Sequence, residues 1–268
     1  MLPAYNDCAR RAAARQYRRL ISEAGFELRE TDRSIGAMMG IAVHRVAESY
    51  YRARLADEDF SLSKAIEAAI EALKMESVGG LLWDDTTPTI DAAATQLTRI
   101  ATAYINGIGR AIDPIAVECR VVADLGEGWE LSGTIDVVSR VEGGCRVHDI
   151  KTGVLARSYH AQLGAYALLV RSAELPGLPT NITELVIDFV ERTPRRRPQA
   201  APESERLPVY LCEQIAWTSI LRIRRDVQSF IASGNPDAFP ENPMSLLCSA
   251  KFCPAFNTEF CKITKVWK

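Results

Sequence analysis

The chain has almost no net charge, few histidines and no apolar run long enough to cross a membrane. Lysine and arginine number 32 against 34 aspartates and glutamates, a formal net charge of −2. So even a balance gives no global basic field, and any nucleic-acid site has to be a local basic patch on a mixed surface. The apolar runs fall far short of the ~20 residues a membrane helix needs. Residues 1–20 lack the apolar stretch of a secretory leader, so a cytoplasmic protein with no membrane partner is expected. No glycine-rich loop ending in Gly-Lys-Ser/Thr is present. This excludes nucleotide hydrolysis of the phosphate-loop kind, and any strand unwinding has to come from a partner. A disulfide framework is also disfavoured. The cysteines number seven, an odd count that in a cytoplasmic chain argues for free thiols or metal binding.

What is present is an ordinary globular balance, 47% hydrophobic and 25% charged in 268 residues, enough for one substantial core. Residues 131–153 read LSGTIDVVSRVEGGCRVHDIKTG. Two β-rich runs flank Glu142-Gly143-Gly144, the pattern of a hairpin closed by a glycine turn. The first run carries Asp136; the second carries Asp149, with Lys151 two residues on. A carboxylate inside an apolar strand is costly to bury without a partner. Two of them on adjacent strands beside a lysine point to a divalent metal site. Carboxylates are hard oxygen ligands, and the ammonium can hold or polarise the reacting group. Side chains alternate along a strand, so Asp149 and Lys151 share a face while Ile150 points away. The Ile150 carbonyl is then available as a third oxygen ligand, and Asp136 comes near Asp149 if the register agrees.

The surrounding chain reads as helices and strands in alternation. Residues 5–24 are expected to form one Ala- and Arg-rich helix. Its Arg10, Arg11, Arg15, Arg18 and Arg19 make a basic flank, either solvated or contacting phosphates. Residues 36–55 have helical apolar spacing with His44 inside the pattern. Such a histidine is either packed or a ligand, and with only three in the chain the ligand role gains. Residues 61–77 and 89–112 read as two further helices, a layer without evident chemistry. Residues 115–124 read as a strand whose Glu118 is either another carboxylate near the metal or an exposed, ion-paired side chain. Residues 158–173 form an amphipathic helix with Gln162 and Tyr166 four apart on one face. Residues 182–191 read as a strand and 193–208 as a Pro-rich loop. Arg192, Arg195, Arg196 and Arg197 there either track a phosphate backbone or solubilise the loop. Residues 209–233 read as a long helix with Arg222, Arg224 and Arg225 on its polar side.

The cysteines divide by context. Cys119, Cys145 and Cys212 stand alone among apolar residues and read as small buried hydrophobes. Cys248, Cys253 and Cys261 crowd one Pro-rich tail and offer three soft thiolates within a compact segment. A four-ligand site needs one more. Cys8 is the candidate, because a chain whose ends meet would deliver it.

Taken in order, GIAVH at 40–44, GTID at 133–136, HDIKTG at 148–153 and QLGAY at 162–166 resemble the RecB-type branch of the PD-(D/E)XK nuclease superfamily. The resemblance spans residues 36–190. It implies an α/β fold, a central mixed sheet flanked by helices around a restriction-endonuclease-like core, with a helical N-terminal part and a C-terminal cysteine cluster. One nuclease domain would occupy 1–268: a helical part at 36–112 carrying His44, a catalytic core at 113–192, and packed ends at 1–24 and 209–268. Carried over residue by residue, His44, Asp136, Asp149 and the Ile150 carbonyl would hold Mg²⁺ or Mn²⁺. Lys151 would position the attacking water and stabilise charge on the phosphate, and Gln162 and Tyr166 would support the site and touch DNA. One cysteine near the start and three near the end resemble the iron–sulfur staple of AddB-type helicase–nucleases and CRISPR adaptation nucleases, as found in compact phage-type exonucleases. By that likeness Cys8, Cys248, Cys253 and Cys261 would carry a [4Fe–4S] cluster. Between the first two C-terminal cysteines lie four residues, where the tighter form has two. The implied activity is a metal-dependent exonuclease acting on linear DNA ends in recombination, repair or phage DNA processing, with a helicase or recombinase as partner. The alternatives are an inactive nuclease fold serving as a DNA-binding or scaffold subunit, and an unrelated α/β protein with a structural zinc tail.

Overall fold

The computed structural model describes residues 1–153, 159–172, 177–194 and 196–263. The chain divides into two compact units. The smaller takes residues 1–32, 160–162 and 214–268; the larger takes 33–159 and 163–213.

In the smaller unit the N-terminal segment is three short helices, α1 (Leu2–Asp7), α2 (Ala9–Gln16) and α3 (Arg18–Glu23), where the sequence suggested one. The helix breaks at Cys8, which is extended at φ −151° and ψ 106°, and again at Tyr17. Nothing in the local Ala/Arg composition announces these breaks. Tertiary contacts with the C-terminal segment make them: the Arg10 amide donates to the Pro240 carbonyl at 3.2 Å, and the Tyr5 hydroxyl donates to Asp226 at 2.7 Å. The basic flank is corrected at two positions, while Arg15 and Arg19 are exposed. Arg10 and Arg11 are buried, neither solvated nor open to phosphate. Arg10 pairs with Asp237 at 2.8 Å and Glu241 at 2.9 Å, and Arg11 pairs with Asp7 at 2.6 Å. A buried guanidinium needs such partners. Phe26, Phe230, Phe239 and Phe260 form an aromatic cluster in this unit at centroid distances of 5.3 to 6.3 Å.

The larger unit begins with the two-residue β1 (Arg33–Ser34) and a helical layer of α4 (Ile35–Ala56), α5 (Leu62–Ser77) and α6 (Ile90–Asn106). The short β2 (Leu81–Leu82) pairs parallel with β1. Helix α4 starts where the Ser34 hydroxyl accepts the Ala37 amide at 3.3 Å, a side-chain cap, and stops at Asp57 in left-handed geometry. A five-stranded sheet follows in the order β3 (Pro114–Asp124), β4 (Glu130–Val141), β5 (Gly144–Gly153), β6 (Ile182–Glu191) and β7 (Glu203–Leu207). All neighbours are antiparallel except β5 and β6, which run parallel and are joined through α7 (His160–Ser172). This is the mixed α/β sheet flanked by helices, with a helical N-terminal part, that the motifs implied. The turn between β4 and β5 is tight, with Gly143 at φ +78° where a side chain would be strained. Strand β7 is a departure: residues 193–208 read as loop, because the ESERL stretch lacks apolar alternation. It forms an edge strand whose first four residues are exposed, so the period-2 signal has no second buried face to produce it.

Two apolar clusters hold this unit. Val43, Val46, Leu97 and Tyr104 of the helical layer pack with Val137, Ile150 and Val190 of the sheet. Leu163, Ala167 and Val170 of α7 pack with Ile135, Val147, Leu185 and Ile187. Each fully buried branched side chain contributes about 1.5–3 kcal/mol relative to exposure. A buried polar chain crosses four strands. The His148 imidazole meets Ser139 Oγ at 3.0 Å and Asp188 at 2.8 Å, and the Ser204 hydroxyl donates to Asp188 at 2.5 Å. With every partner on a different strand, this chain fixes the register in which the hairpin sits.

Candidate metal and nucleic-acid site

The geometry starts from an interruption in the sheet. The β4–β5 ladder runs from Val141–Gly144 to Val137–His148 and ends there, one pair short of Asp136 and Asp149. Beyond that point a side chain replaces the backbone acceptor: Asp136 Oδ2 accepts the Ile150 amide at 2.7 Å. Strand β5 continues to pair with β6 on its other side, Ile150 opposite Asp188. On β3, Glu118 lies across from Asp136, between the pairs Val117–Val137 and Cys119–Ile135. It does so at φ +44°, a left-handed conformation that costs a non-glycine residue about 1–3 kcal/mol and concentrates at functional sites.

Helix α4 delivers His44 to the same place. Its Nε2–H donates to the Ile150 carbonyl at 2.7 Å, while Nδ1 lies 3.4 Å from Asp136 Oδ1 and 3.7 Å from Glu118 Oε1. Gly40, one turn earlier, faces Thr152 of β5: a Cβ there would lie 3.5 Å from Thr152 Oγ1, an ordinary packing contact. One ligand atom each from His44, Glu118 and Asp136 lies within 4.8 Å of the others. Burial works to lower the His44 pKa, but the Asp136 carboxylate and hydrogen bonds to Asp136 and Glu118 outweigh it and push the imidazole up to about 10. The site is therefore built to hold positive charge between two carboxylates.

Asp149 and Lys151 form the second half. Asp149 is fully buried and its Oδ2 lies 2.6 Å from Lys151 Nζ. Burial raises the Asp149 pKa, the Lys151 ammonium opposes that rise, and the Asp136 charge adds to it. The Lys151 ammonium also stands over the Tyr159 ring, 5.0 Å from its centroid. Tyr166 is half-buried on α7 and packs on the strand that carries Asp136. A Cβ added to Gly133 would meet Tyr166 Cε1 at 3.2 Å and Leu169 Cδ1 at 3.0 Å, which explains the glycine of the GTID motif. Gln162 is half-buried in the first turn of α7 and counts with the smaller unit.

Of the arginines read as phosphate contacts, Arg192 is corrected. It is buried, with Nη1 and Nη2 at 3.0 and 2.7 Å from the two oxygens of Asp84 and a further bond to Thr87. Arg196 and Arg197 are exposed, and Arg195 lies outside the described residues. Glu118 could not be assigned from sequence, because its role depends on the β3–β4 register. Tyr159 carried no signal at all.

In the smaller unit Cys8, Cys248, Cys253 and Cys261, all buried, line one small cavity together with Arg10 and Arg11. Burial pushes the Cys253 thiol up to about 11 and raises Cys248 and Cys261; the neighbouring thiols add to the rise in each. Cys145 and Cys212 are buried singly among apolar side chains.

Chemically, two carboxylates and an imidazole form a hard-to-borderline donor set suited to Mg²⁺ or Mn²⁺, with an ammonium next to it. Solved structures resembling the chain include a protein from Eubacterium rectale provisionally described as an exonuclease, with 13% identity, a TM-score of 0.47, and coverage of 73% of this chain and 68% of that one. Another is the protein SSO0001, at 14% identity, a TM-score of 0.25, and coverage of 76% and 83%. A search of curated proteins found no match. The sequence model of the PD-(D/E)XK nuclease superfamily matches residues 2–257, nearly the whole chain, with the acids and lysine of the hairpin inside that span, and the chain belongs to this superfamily.

Proposed function

We propose that the protein is a metal-dependent DNA exonuclease, with residues 1–268 working as one nuclease on linear DNA ends in recombination, repair or phage DNA processing, alongside a helicase or recombinase in the cytoplasm. The observation that carries this reading is the convergence of His44, Glu118 and Asp136 at the opening between β4 and β5, with the Asp149–Lys151 pair beside it. His44, Asp136 and Asp149, with the Ile150 carbonyl, would hold the cation, and Glu118 adds a further carboxylate. A bound divalent ion supplies charge neutralisation at the phosphate and eases deprotonation of water. The chain's own residues do the rest. Asp149 holds the Lys151 ammonium at 2.6 Å, which keeps that charge directed at a phosphate oxygen as negative charge develops there. Asp136 does two things at once: it offers one oxygen to the cation while the other fixes the Ile150 amide at 2.7 Å, and with it the carbonyl that follows. Tyr166 and Gln162 are assigned to DNA contact. An imidazole among the ligands favours Mn²⁺ slightly over Mg²⁺.

The cysteine cavity supports an iron–sulfur cluster on Cys8, Cys248, Cys253 and Cys261. What supports this reading is that four buried thiols, the ligand number of such a cluster, line one cavity.

The test is digestion of end-labelled single- and double-stranded DNA with Mg²⁺ or Mn²⁺, comparing wild type with Lys151→Ala. Wild type shortens the label from an end and the variant is inactive. Equal activity in both, or none in the wild type with either metal, would overturn the reading.

A further inference from the structure

One buried group near the cysteine cavity is left over by everything above. Arg11 is 4% exposed and lines the cavity with all four cysteines. Its Nη2 is satisfied by Asp7 at 2.6 Å, but its Nε is buried without a hydrogen-bond partner. An unmet donor on a buried cation costs about 1–3 kcal/mol or more, and native interiors rarely keep one without a ligand to meet it. Arg10 makes the contrast. It lines the same cavity, yet its Nε donates to the Phe239 carbonyl at 3.0 Å and its two amino groups bond Glu241 and Asp237. Arg10 is fully committed to protein, whereas Arg11 has one buried N–H that no protein group accepts.

The four thiols share the wall of that cavity with Glu241, Asn242, Ser245, Phe256 and Ile263. Cys8 precedes α2 as its N-cap, and Arg11 follows within the first turn of the same helix, so the break at Cys8 sets thiol and guanidinium on one short piece of backbone. Four thiolates around a metal centre leave net negative charge, and the positive end of α2 together with Arg11 offsets it. We propose that Arg11 is the sulfur-directed donor of this pocket: its Nε–H bonds to a thiolate or bridging sulfide of a bound iron–sulfur centre and raises that centre's reduction potential. Asp7 is the counterweight. It draws on the same guanidinium and also accepts the Ser245 hydroxyl at 2.6 Å, which limits how much positive charge reaches the sulfurs. The proposal rests on the iron–sulfur reading of the cavity, and hydrogen bonds to cluster sulfurs are a known means of tuning potential.

The experiment uses the full chain purified without air, in wild-type, Arg11→Gln, Arg11→Lys and Asp7→Asn forms. Iron, sulfide and zinc are counted, the potential is read by titration against dithionite, and the lifetime of the visible absorbance is followed in air. Arg11→Gln lowers the potential and shortens the lifetime about tenfold, the usual scale for losing an outer partner of a metal site. Arg11→Lys, which keeps the charge and loses the Nε–H, also falls below wild type. Asp7→Asn moves the potential the opposite way, and Arg11→Lys carries the test if Arg11→Gln is insoluble. Clusters present in every variant with unchanged potential overturn the Arg11 assignment while leaving the cluster standing. Arg11→Lys matching wild type overturns the Nε bond in favour of charge alone. Zinc without iron in the wild type overturns the cluster reading itself.

Discussion

Each of the two polar centres gathers ionisable groups, but they keep them in different ways. At the hairpin the groups sit where a strand ladder has opened, and they balance one another: His44 lies between Asp136 and Glu118, and Lys151 pairs with Asp149. The His44 and Glu118 side chains keep 26% and 23% of their surface, so the opening is reached by solvent. In the cysteine cavity the four thiols are buried, and burial pushes at least three of them away from the thiolate form. A metal bound there, as proposed, would have to displace those protons, and its binding would be coupled to folding. On the reading proposed above, the first region serves exchange and the second holds a permanent centre.

The largest effect expected from disturbing this contrast is at the exchange site. Asp136→Ala removes a ligand and the Ile150 acceptor together and should lower cleavage of end-labelled DNA about 10³-fold. Asp136→Asn, whose carbonyl still accepts the Ile150 amide, should retain stability close to wild type while losing the activity; equal activity of Asn and wild type would remove Asp136 from the metal. Next comes the permanent site. Cys253→Ser should strip bound iron and lower the thermal midpoint by about 10 °C, and an unchanged midpoint would show that the cavity holds nothing structural. Glu118→Gln is milder. If Glu118 is a ligand, the metal concentration for half-maximal activity rises about 10–100-fold, whereas an unmoved midpoint confines Glu118 to its contact with His44.

Smaller effects probe the scaffold around the hairpin. Gly133→Ala places a methyl group 3.0 Å from Leu169 and 3.2 Å from Tyr166. It should cost about 1–3 kcal/mol in urea unfolding; full tolerance would mean α7 can retreat from β4. The smallest effect is at acid pH. Burial alone would raise the Asp84 pKa, but the hydrogen bond and charge of Arg192 lower it below the ordinary value. A depressed carboxylate contributes stability above its unfolded pKa of about 3.9 and loses it as pH falls through the folded value. Asp84 is more than a third exposed, so solvent screening holds this to no more than ~1 kcal/mol. Asp84→Asn should flatten that part of the stability curve below pH ~4, and an unchanged slope would mean Arg192 does not hold the carboxylate down.

The hairpin was legible because strand alternation is local: an acid within an apolar run, and a lysine two residues after another acid, announce themselves without a fold. His44 was legible as a member of a helical pattern, and its scarcity among residue types added weight. Glu118 was not, because its meeting with His44 needs the β3–β4 register and a left-handed backbone that no neighbouring residue signals. The break at Cys8 was hidden by uniformly helix-forming neighbours, and contacts from residues 226 and 240 overrode them. Arg10 was misread for the same reason: its guanidinium is taken up by Asp237 and Glu241, chain positions more than 200 residues away.

By itself, then, the sequence determined the order of helices and strands that carry the motifs, the face shared by Asp149 and Lys151, and the grouping of cysteines at the two ends. All of these follow from short-range periodicity and composition. The tertiary structure alone decided that the β4–β5 ladder ends one pair early, that Asp136 fills the opening, that Glu118 joins His44 there, and that Arg11 is buried with one N–H that no protein group accepts. Those outcomes depend on which distant groups compete for each buried charge and hydrogen bond, and that competition has no local trace in the chain.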